Sequence, residues 1–219
     1  MTTMKLQTLV QAWRSSEKSN LFPPGATDLE LELAESKLGF QLPSTFRELY
    51  RLFNGANLLN GNLQIYPLEE TDHSLGLSSG SEKLRSWDWP IPNEGLVFGD
   101  NGSDDHFGMW LPKIQGKIFN HPILRIGEIF EPRCMAIEAT GLVPFLLGWT
   151  AYYSLLYEAE NPLLDVLGLP EILRFNPDEM DDPFTRIRQW ADPNLPDSSP
   201  DPYSHGHDIK SLISIFDMS

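Results

Sequence analysis

The feature that most constrains the fold is a change of hydrophobic period near Asn54 and Gly55. Before it, apolar residues recur with helical spacing, and after it come short runs typical of strands. One long helical segment follows Thr140. This order of helices, strands and helix predicts an α+β fold, in which helices pack against an antiparallel sheet, because nothing alternates strand and helix as an α/β fold would.

Three helices are predicted before the change of period. The second begins at Thr27, which has capping-box spacing to Glu30, and Gly39 is placed to end it. The third has Pro43 in its first turn, where the missing N–H costs nothing, and closes at Asn54-Gly55. The expected buried faces of the three helices are Leu6, Leu9, Val10 and Trp13; Leu31, Ala34 and Leu38; and Phe46, Leu49, Tyr50 and Phe53.

The middle of the chain contains five strand-like runs by pattern alone: "GNLQIYPL", "GLVFG", "HFGMWL", "PILRIGEI" and "PRCMAIEA". Residues 69–94 form a long polar insertion with a short helix expected around Ser81–Trp89. Thr140 is the expected cap of the long helix that follows. The expected buried side of that helix is Phe145, Leu146, Trp149, Tyr153 and Leu156.

The amino-acid composition of the chain changes after Glu160. Residues 176–208 contain eight Asp or Glu, two Arg and six Pro, which is typical of loop-like chain. One short helix is expected after Pro183, capped by Asp182, and "IKSLISIF" is apolar enough to dock on the core. We therefore divide the chain into a domain over 1–160, with its core at 27–157, and an acidic, proline-rich C-terminal extension over 161–219.

Charge limits the function classes that this chain can serve. Sixteen Lys and Arg stand against 31 Asp and Glu, a formal net charge of −15. Such a surface repels nucleic acid and anionic lipid and attracts basic partners. Cys134 is the single cysteine, so no internal disulfide can form, and we expect a buried thiol. With no signal peptide and no membrane-spanning stretch in the pattern, we expect a soluble, cytoplasmic protein.

Several motifs together resemble a known family. "LGFQLPSTFRELYRLFNGA" followed by a strand ending "IYPLEE", then "VFGDNGSDD" before an aromatic strand, resembles the signature of the SUKH superfamily in its Smi-one/Knr-four branch. Thr140–Leu156 lies where that family has its closing helix. The resemblance covers Thr27 to Tyr157, and the 69–94 insertion and the tail beyond Glu160 depart from it.

The resemblance implies an α+β fold with about six antiparallel strands and two kinds of role. Many bacterial members look like immunity proteins that bind toxin domains, often nucleases, and fungal members act as scaffolds in cell-wall signalling. No catalytic residue set comes with the family. The resemblance therefore implies a protein partner, and we expect no cofactor.

"VFGDNGSDDHFGMW" concentrates Asp100, Asp104, Asp105 and His106 between two apolar runs. As a calcium loop starting at Asp100 it fails, because Gly102, Asp105 and Leu111 occupy positions that need an oxygen ligand, a glycine and a bidentate glutamate. As a hairpin turn it has the residues that tolerate positive φ. We interpret it as a turn whose exposed carboxylates can contact a basic partner.

Other groups of residues give weaker indications of metal binding or catalysis. His205, His207 and Asp208 could ligate a metal, but a solvated tail is the simpler interpretation. Glycosidases need two carboxyl groups roughly 5–10 Å apart across a cleft that binds the sugar. Adjacency in sequence, as in Glu69 with Glu70 or Asp181 with Asp182, does not establish such an arrangement. No phosphate-binding glycine loop, G-x-S-x-G or H-E-x-x-H occurs. We expect neither a metal site nor catalytic residues.

Three hypotheses follow from the sequence. The first is a non-enzymatic immunity-type protein that binds a basic, nuclease-like toxin domain. The second is a regulatory scaffold that recruits partners through its acidic tail, and the third is a hydrolase using the Asp100–His106 loop. Trp87 and Trp89 either anchor a partner or cover a small apolar cluster. The candidate partner-binding residues are Glu69, Glu70, Trp87, Trp89, Asp100, Asp104 and Asp105.

Overall fold

The computed structural model describes residues 5–16, 22–87, 91, 95–111, 121–127, 134–157, 161–174 and 183–195. Its helices are α1 Leu6–Ser16, α2 Asp28–Leu38, α3 Ser44–Leu52, α4 Leu77–Ser86, α5 Leu142–Tyr157, α6 Pro162–Leu167 and α7 Pro183–Ala191. Its strands are β1 Ala56–Leu58, β2 Leu63–Ile65, β3 Gly95–Asp100, β4 Asp105–Trp110, β5 Ile123–Gly127 and β6 Cys134–Ala139.

The six strands form one antiparallel sheet in chain order, from β1 to β6. Helices pack against this sheet, which confirms the predicted α+β class. The hydrophobic pattern alone missed β1, because its three residues are too few to show an alternation. It supplies one edge of the sheet, and β6 supplies the other.

Apolar side chains cover both faces of the sheet. On one face, Phe98 and Phe107 stack edge-on or tilted against Phe145 of α5, with ring centroids 5.9 and 4.8 Å apart. On the other face, Val97 and Leu124 belong to a second cluster that includes Leu84 of α4. This two-sided burial explains why β5 is buried along its whole length, and β3 up to Gly99, instead of alternating between buried and exposed residues.

The local signals for α2 and α3 are largely confirmed. The Thr27 hydroxyl accepts from the Glu30 N–H, the Glu30 carboxylate accepts from the Thr27 N–H, and Gly39 ends α2 at φ 76°. Pro43 lies one residue outside α3, at its N-cap. All residues predicted to be buried in α1 and α3 are buried. Of the three predicted to be buried in α2, Leu31 and Ala34 are buried and Leu38 is partly exposed.

Three sequence expectations need correction. Thr140 does not cap α5; it is buried, and its hydroxyl donates to the Asp192 carboxylate at 2.9 Å. Leu156, predicted to be buried, is 46% exposed, since the last turn of α5 extends past the core. The insertion holds a helix that begins at Leu77, four residues earlier than expected, because Leu77 and Leu84 dock α4 on the sheet.

Helix α7 closes the β6 edge of the sheet with charged side chains. Arg188, 5% exposed, donates to the carbonyls of Ile137 and Glu138, and its Nε lies 3.4 Å from a carboxylate oxygen of Glu138. Asp192 accepts from the backbone N–H and the hydroxyl of Thr140. These donors and acceptors take the place of a seventh strand, so α7 both protects the edge and attaches the chain beyond residue 182 to the domain.

Some predicted features lie outside the described residues. These are Trp89, the Asp181 and Asp182 pair, "IKSLISIF", the histidines at 205 and 207, and the Cys134 side chain. Within the part of the chain that the structure describes, no helix is long and apolar enough to cross a membrane.

Replacing Arg188 with Met should lower the free energy of unfolding by about 3–5 kcal/mol, because Glu138 would keep a buried charge without its cation. The matched control is Arg186→Met on the exposed side of the same helix, which should change it by less than about 0.5 kcal/mol. Urea unfolding measures both, and equal losses would contradict a role for Arg188 in closing the edge.

Candidate interaction surface

The loop between β3 and β4 is a structural hairpin turn, as predicted. The Asp100 carboxylate accepts from the Gly102 N–H at 2.7 Å, and the Asn101 side chain accepts from the N–H groups of Ser103 and Asp105. Gly102 has φ 74°, and a Cβ there would come within 2.3 Å of the Gly61 carbonyl oxygen. The residue types in this turn are therefore explained by backbone geometry.

Asp105 does not contribute to the surface, which corrects the expectation of an exposed contact. It is 3% exposed, and its carboxylate lies 3.6 Å from the guanidinium of Arg125 on β5. Burial raises the pKa of the Asp105 carboxyl, with Arg125 opposing this and Glu138 adding to it. Because the folded-state pKa is raised, this carboxyl lowers the stability of the fold as the pH rises from the unfolded pKa to the folded pKa, and the loss is recovered as the pH falls back through that range.

Asp100 and His106 lie opposite each other on β3 and β4, with the Tyr66 hydroxyl near both. The hydroxyl is 3.0 Å from His106 Nδ1. Burial, followed by the negative charge of Asp100, raises the pKa of Tyr66, so the phenol stays protonated. Among the described residues no group of three or more His, Cys, Asp or Glu is arranged to hold a metal ion.

Glu69 and Glu70 are exposed and held by two different lysines. Glu69 pairs with Lys37 of α2 at 2.7 Å, and Glu70 pairs with Lys83 of α4 at 2.9 Å. The hydroxyl of Ser79 also donates to Glu70, at 2.8 Å. The two adjacent carboxylates therefore connect the C-terminal turn of α2 with the outer side of α4.

Trp87 immediately follows α4 and is 53% exposed. The Lys83 ammonium stands 5.8 Å from the centre of its ring, one helical turn earlier in the chain. About half of the ring surface is therefore open to solvent. An exposed tryptophan is a favoured contact in protein interfaces.

Helix α2 extends this surface with two exposed leucines. Leu29 is 66% and Leu33 is 54% exposed, and with Lys37 they recur every fourth residue along one side of the helix. Lys37 at the end of this row pairs with Glu69, and Lys83, which lies next to Trp87, pairs with Glu70. The adjacent glutamates therefore join the exposed side of α2 to that of α4. We call this surface the α2–α4 ridge, and it consists of Leu29, Leu33, Lys37, Glu69, Glu70, Lys83 and Trp87.

Sequence reasoning found three ridge residues, Glu69, Glu70 and Trp87, but missed the leucines. A signal for them was present, because a helix that buries Leu31 and Ala34 must turn Leu29 and Leu33 away from the core. The two lysines carried no comparable signal. Their roles depend on how α2, α4 and the loop between them pack in space.

Two cavities lie away from the ridge. An open groove of about 280 Å³ between α1 and α6 is lined mainly by apolar and hydroxyl-bearing side chains, without a charged group. A second cavity, beside Glu138, Arg188 and Asp192, has a volume of about 10 Å³, which is the size of roughly one water molecule. The ridge, by contrast, combines aromatic, apolar and charged groups on one exposed surface.

A comparison with protein families places the ridge within a known domain. The model of the SMI1 / KNR4 family (SUKH-1) matches residues 25–134, half of the chain. The match includes α2, α3, α4 and strands β1 to β5, and so contains every ridge residue. No curated protein matches the chain.

Replacing Lys83 with Ala should raise the pKa of the Glu70 carboxyl toward its ordinary value of 4.5. The hydrogen bond from Lys83, followed by the one from Ser79, holds that pKa below this value. Carbon-detected NMR titration of the Glu70 carboxyl measures the change, with Lys5→Ala as the matched control at an exposed lysine far along the chain. An unchanged midpoint in Lys83→Ala would contradict the ion pair.

Proposed function

The chain belongs to the SMI1/KNR4 family (SUKH-1), and from this premise we propose that it is an immunity-type protein that neutralises a basic, nuclease-like toxin domain. In this proposal the protein performs no chemistry of its own. It works by covering the cationic surface with which a nuclease holds phosphates.

The family supports the general part of this proposal. SUKH domains are of a protein-binding, immunity-like type and are generally non-enzymatic. A protein partner is therefore the expectation that the family itself supplies. The identity of that partner as a toxin domain is the additional step that we propose.

Charge supports the choice of a cationic partner. The chain carries a formal net charge of −15, so a basic protein would be drawn to it over a distance set by salt screening. A nuclease must present Lys and Arg to its substrate, and an acidic inhibitor would compete for the same groups. Complementary charge of this kind mainly speeds association and selects among partners.

The α2–α4 ridge is the proposed contact surface. Its exposed Trp and Leu side chains can fill pockets on a partner, while Glu69 and Glu70 can exchange their internal lysines for cations of the partner. Asp104, exposed in the β3–β4 turn, and the half-buried Asp100 are proposed as further acidic contacts. The combination of exposed Trp87 with two paired glutamates is the observation that carries this proposal.

The proposal is tested by measuring association with the product of the neighbouring gene, which it expects to carry a basic toxin domain. Glu69→Lys with Glu70→Lys should slow association about tenfold or more at low salt, because four units of charge change on the contact surface. Asp165→Lys with Glu171→Lys is the matched control, since it makes the same charge change and also breaks a surface ion pair. Equal slowing by both variants, or no complex with the unaltered protein, would contradict the proposal.

A regulatory scaffold is the second candidate, favoured by the acidic composition of residues 176–208. Truncation after Leu195 together with Asp178→Asn, Glu179→Gln, Asp181→Asn and Asp182→Asn tests it, because these changes remove seven of the eight acidic residues of that segment. A cut before α7 would instead remove Arg188 and Asp192 from the β6 edge and confound folding with recruitment. The scaffold model expects the combined truncation and substitutions to abolish pull-down of signalling partners while the urea unfolding midpoint stays unchanged. Undiminished recruitment would contradict the scaffold model.

A further inference from the structure

One cation of the ridge contacts a carboxylate and an aromatic ring at the same time. The Lys83 ammonium lies 2.9 Å from Glu70 Oε1 and 5.8 Å from the centre of the Trp87 ring. All three side chains are open to solvent: Lys83 is 40%, Glu70 43% and Trp87 53% exposed. A side chain of a partner can therefore approach the same carboxylate and ring.

The carboxylate is held in place by more than the lysine. Glu70 Oε2 accepts from the Ser79 hydroxyl at 2.8 Å, one turn before Lys83 on α4. The helix is in turn fixed to the sheet, because the Ser81 hydroxyl accepts from the Val97 N–H and the Leu77 N–H donates to the Pro67 carbonyl. Removing Lys83 would thus leave Glu70 and Trp87 in an arrangement that is already ordered.

A guanidinium suits this arrangement better than an ammonium does. It is planar, so it can stack on the indole while its N–H groups point at the carboxylate, and it is more weakly hydrated. Lys83 offers only a compact point charge on a flexible stem. Its exposed ion pair is weak, so a competing cation would displace it readily.

We propose that Glu70 and Trp87 form a subsite for an arginine side chain of the partner, and that Lys83 is an internal competitor that the arginine displaces. This inference rests on the proposed function and specifies the chemistry of its contact surface. Lys83 then weakens binding of the partner, because it occupies the carboxylate and the ring that the arginine needs. Removing Lys83 should therefore strengthen binding of the arginine, although it breaks an ion pair of the free protein.

Binding of short peptides tests the subsite without knowledge of the natural partner. The probes are an acetylated and amidated (Gly-Arg)4 peptide and its (Gly-Lys)4 counterpart, titrated into the isotope-labelled full chain at low salt. The shift of the Trp87 indole N–H reports binding at the subsite. We expect the arginine peptide to bind at least several-fold more tightly than the lysine peptide.

Variants separate the roles of the three side chains. Lys83→Ala should tighten binding of the arginine peptide several-fold despite making the protein more acidic by one unit, whereas Lys5→Ala makes the same charge change and should have little effect. Glu70→Gln, followed at the Trp87 indole N–H, and Trp87→Ala, followed at the backbone N–H of Lys83, should each remove the preference for arginine. Glu171→Gln, at a distant exposed glutamate, should keep it. Far-UV circular dichroism and thermal unfolding verify that each variant is folded.

Two results would overturn the inference: equal binding of the two peptides to the unaltered protein, or equal effects of Lys83→Ala and Lys5→Ala. The proposed function fails separately. If the arginine preference is present but the neighbouring toxin domain is not bound, the subsite stands and the immunity role is wrong. If the toxin domain binds through Glu69 and Glu70 but Trp87→Ala has no effect, the immunity role stands and the subsite is wrong.

Discussion

Burial of the sheet on both faces is the constraint on which this molecule depends. Phe98 and Phe107 face the helices α3 and α5, while Val97 and Leu124 face the cluster that includes Leu84 of α4. Over the residues that the structure describes, neither face of this sheet is left open to a partner. In that part of the chain, exposed Trp and Leu side chains lie on or next to the outer sides of helices, and we infer that recognition uses them.

Charged residues inside the domain and charged residues on its surface have different roles. Asp105 and Arg125 are buried within the sheet, and Glu138 and Arg188 are buried at its β6 edge, so the pairing of these charges bears on the stability of the fold. Glu69 and Glu70 are exposed and paired only with surface lysines, so exchanging those partners costs little. The acidic residues named here therefore fall into two groups. Asp105 and Glu138 are paired with arginines inside the fold, whereas Glu69 and Glu70 can exchange their cations and are suited to binding.

Local signals predicted much of the fold, because they act between residues close in sequence. The Thr27 and Glu30 capping box, the Gly39 stop and the hairpin turn after Asp100 all follow from short-range hydrogen bonds and backbone preferences. The role of Thr140 could not be predicted in this way, since its partner Asp192 lies 52 residues further along the chain. For the same reason Asp105 resembled its exposed neighbours in sequence, although its burial depends on Arg125 of the adjacent strand.

The central claim is that this domain binds a cationic protein through the α2–α4 ridge. Hydrogen–deuterium exchange of the full chain, alone and saturated with a basic partner domain, tests it most directly because every segment is followed together. The account predicts slower exchange over residues 29–37 and 69–87 in the complex, with no change over 161–174. Protection confined to other segments, with 29–37 and 69–87 exchanging as in the free protein, would contradict it.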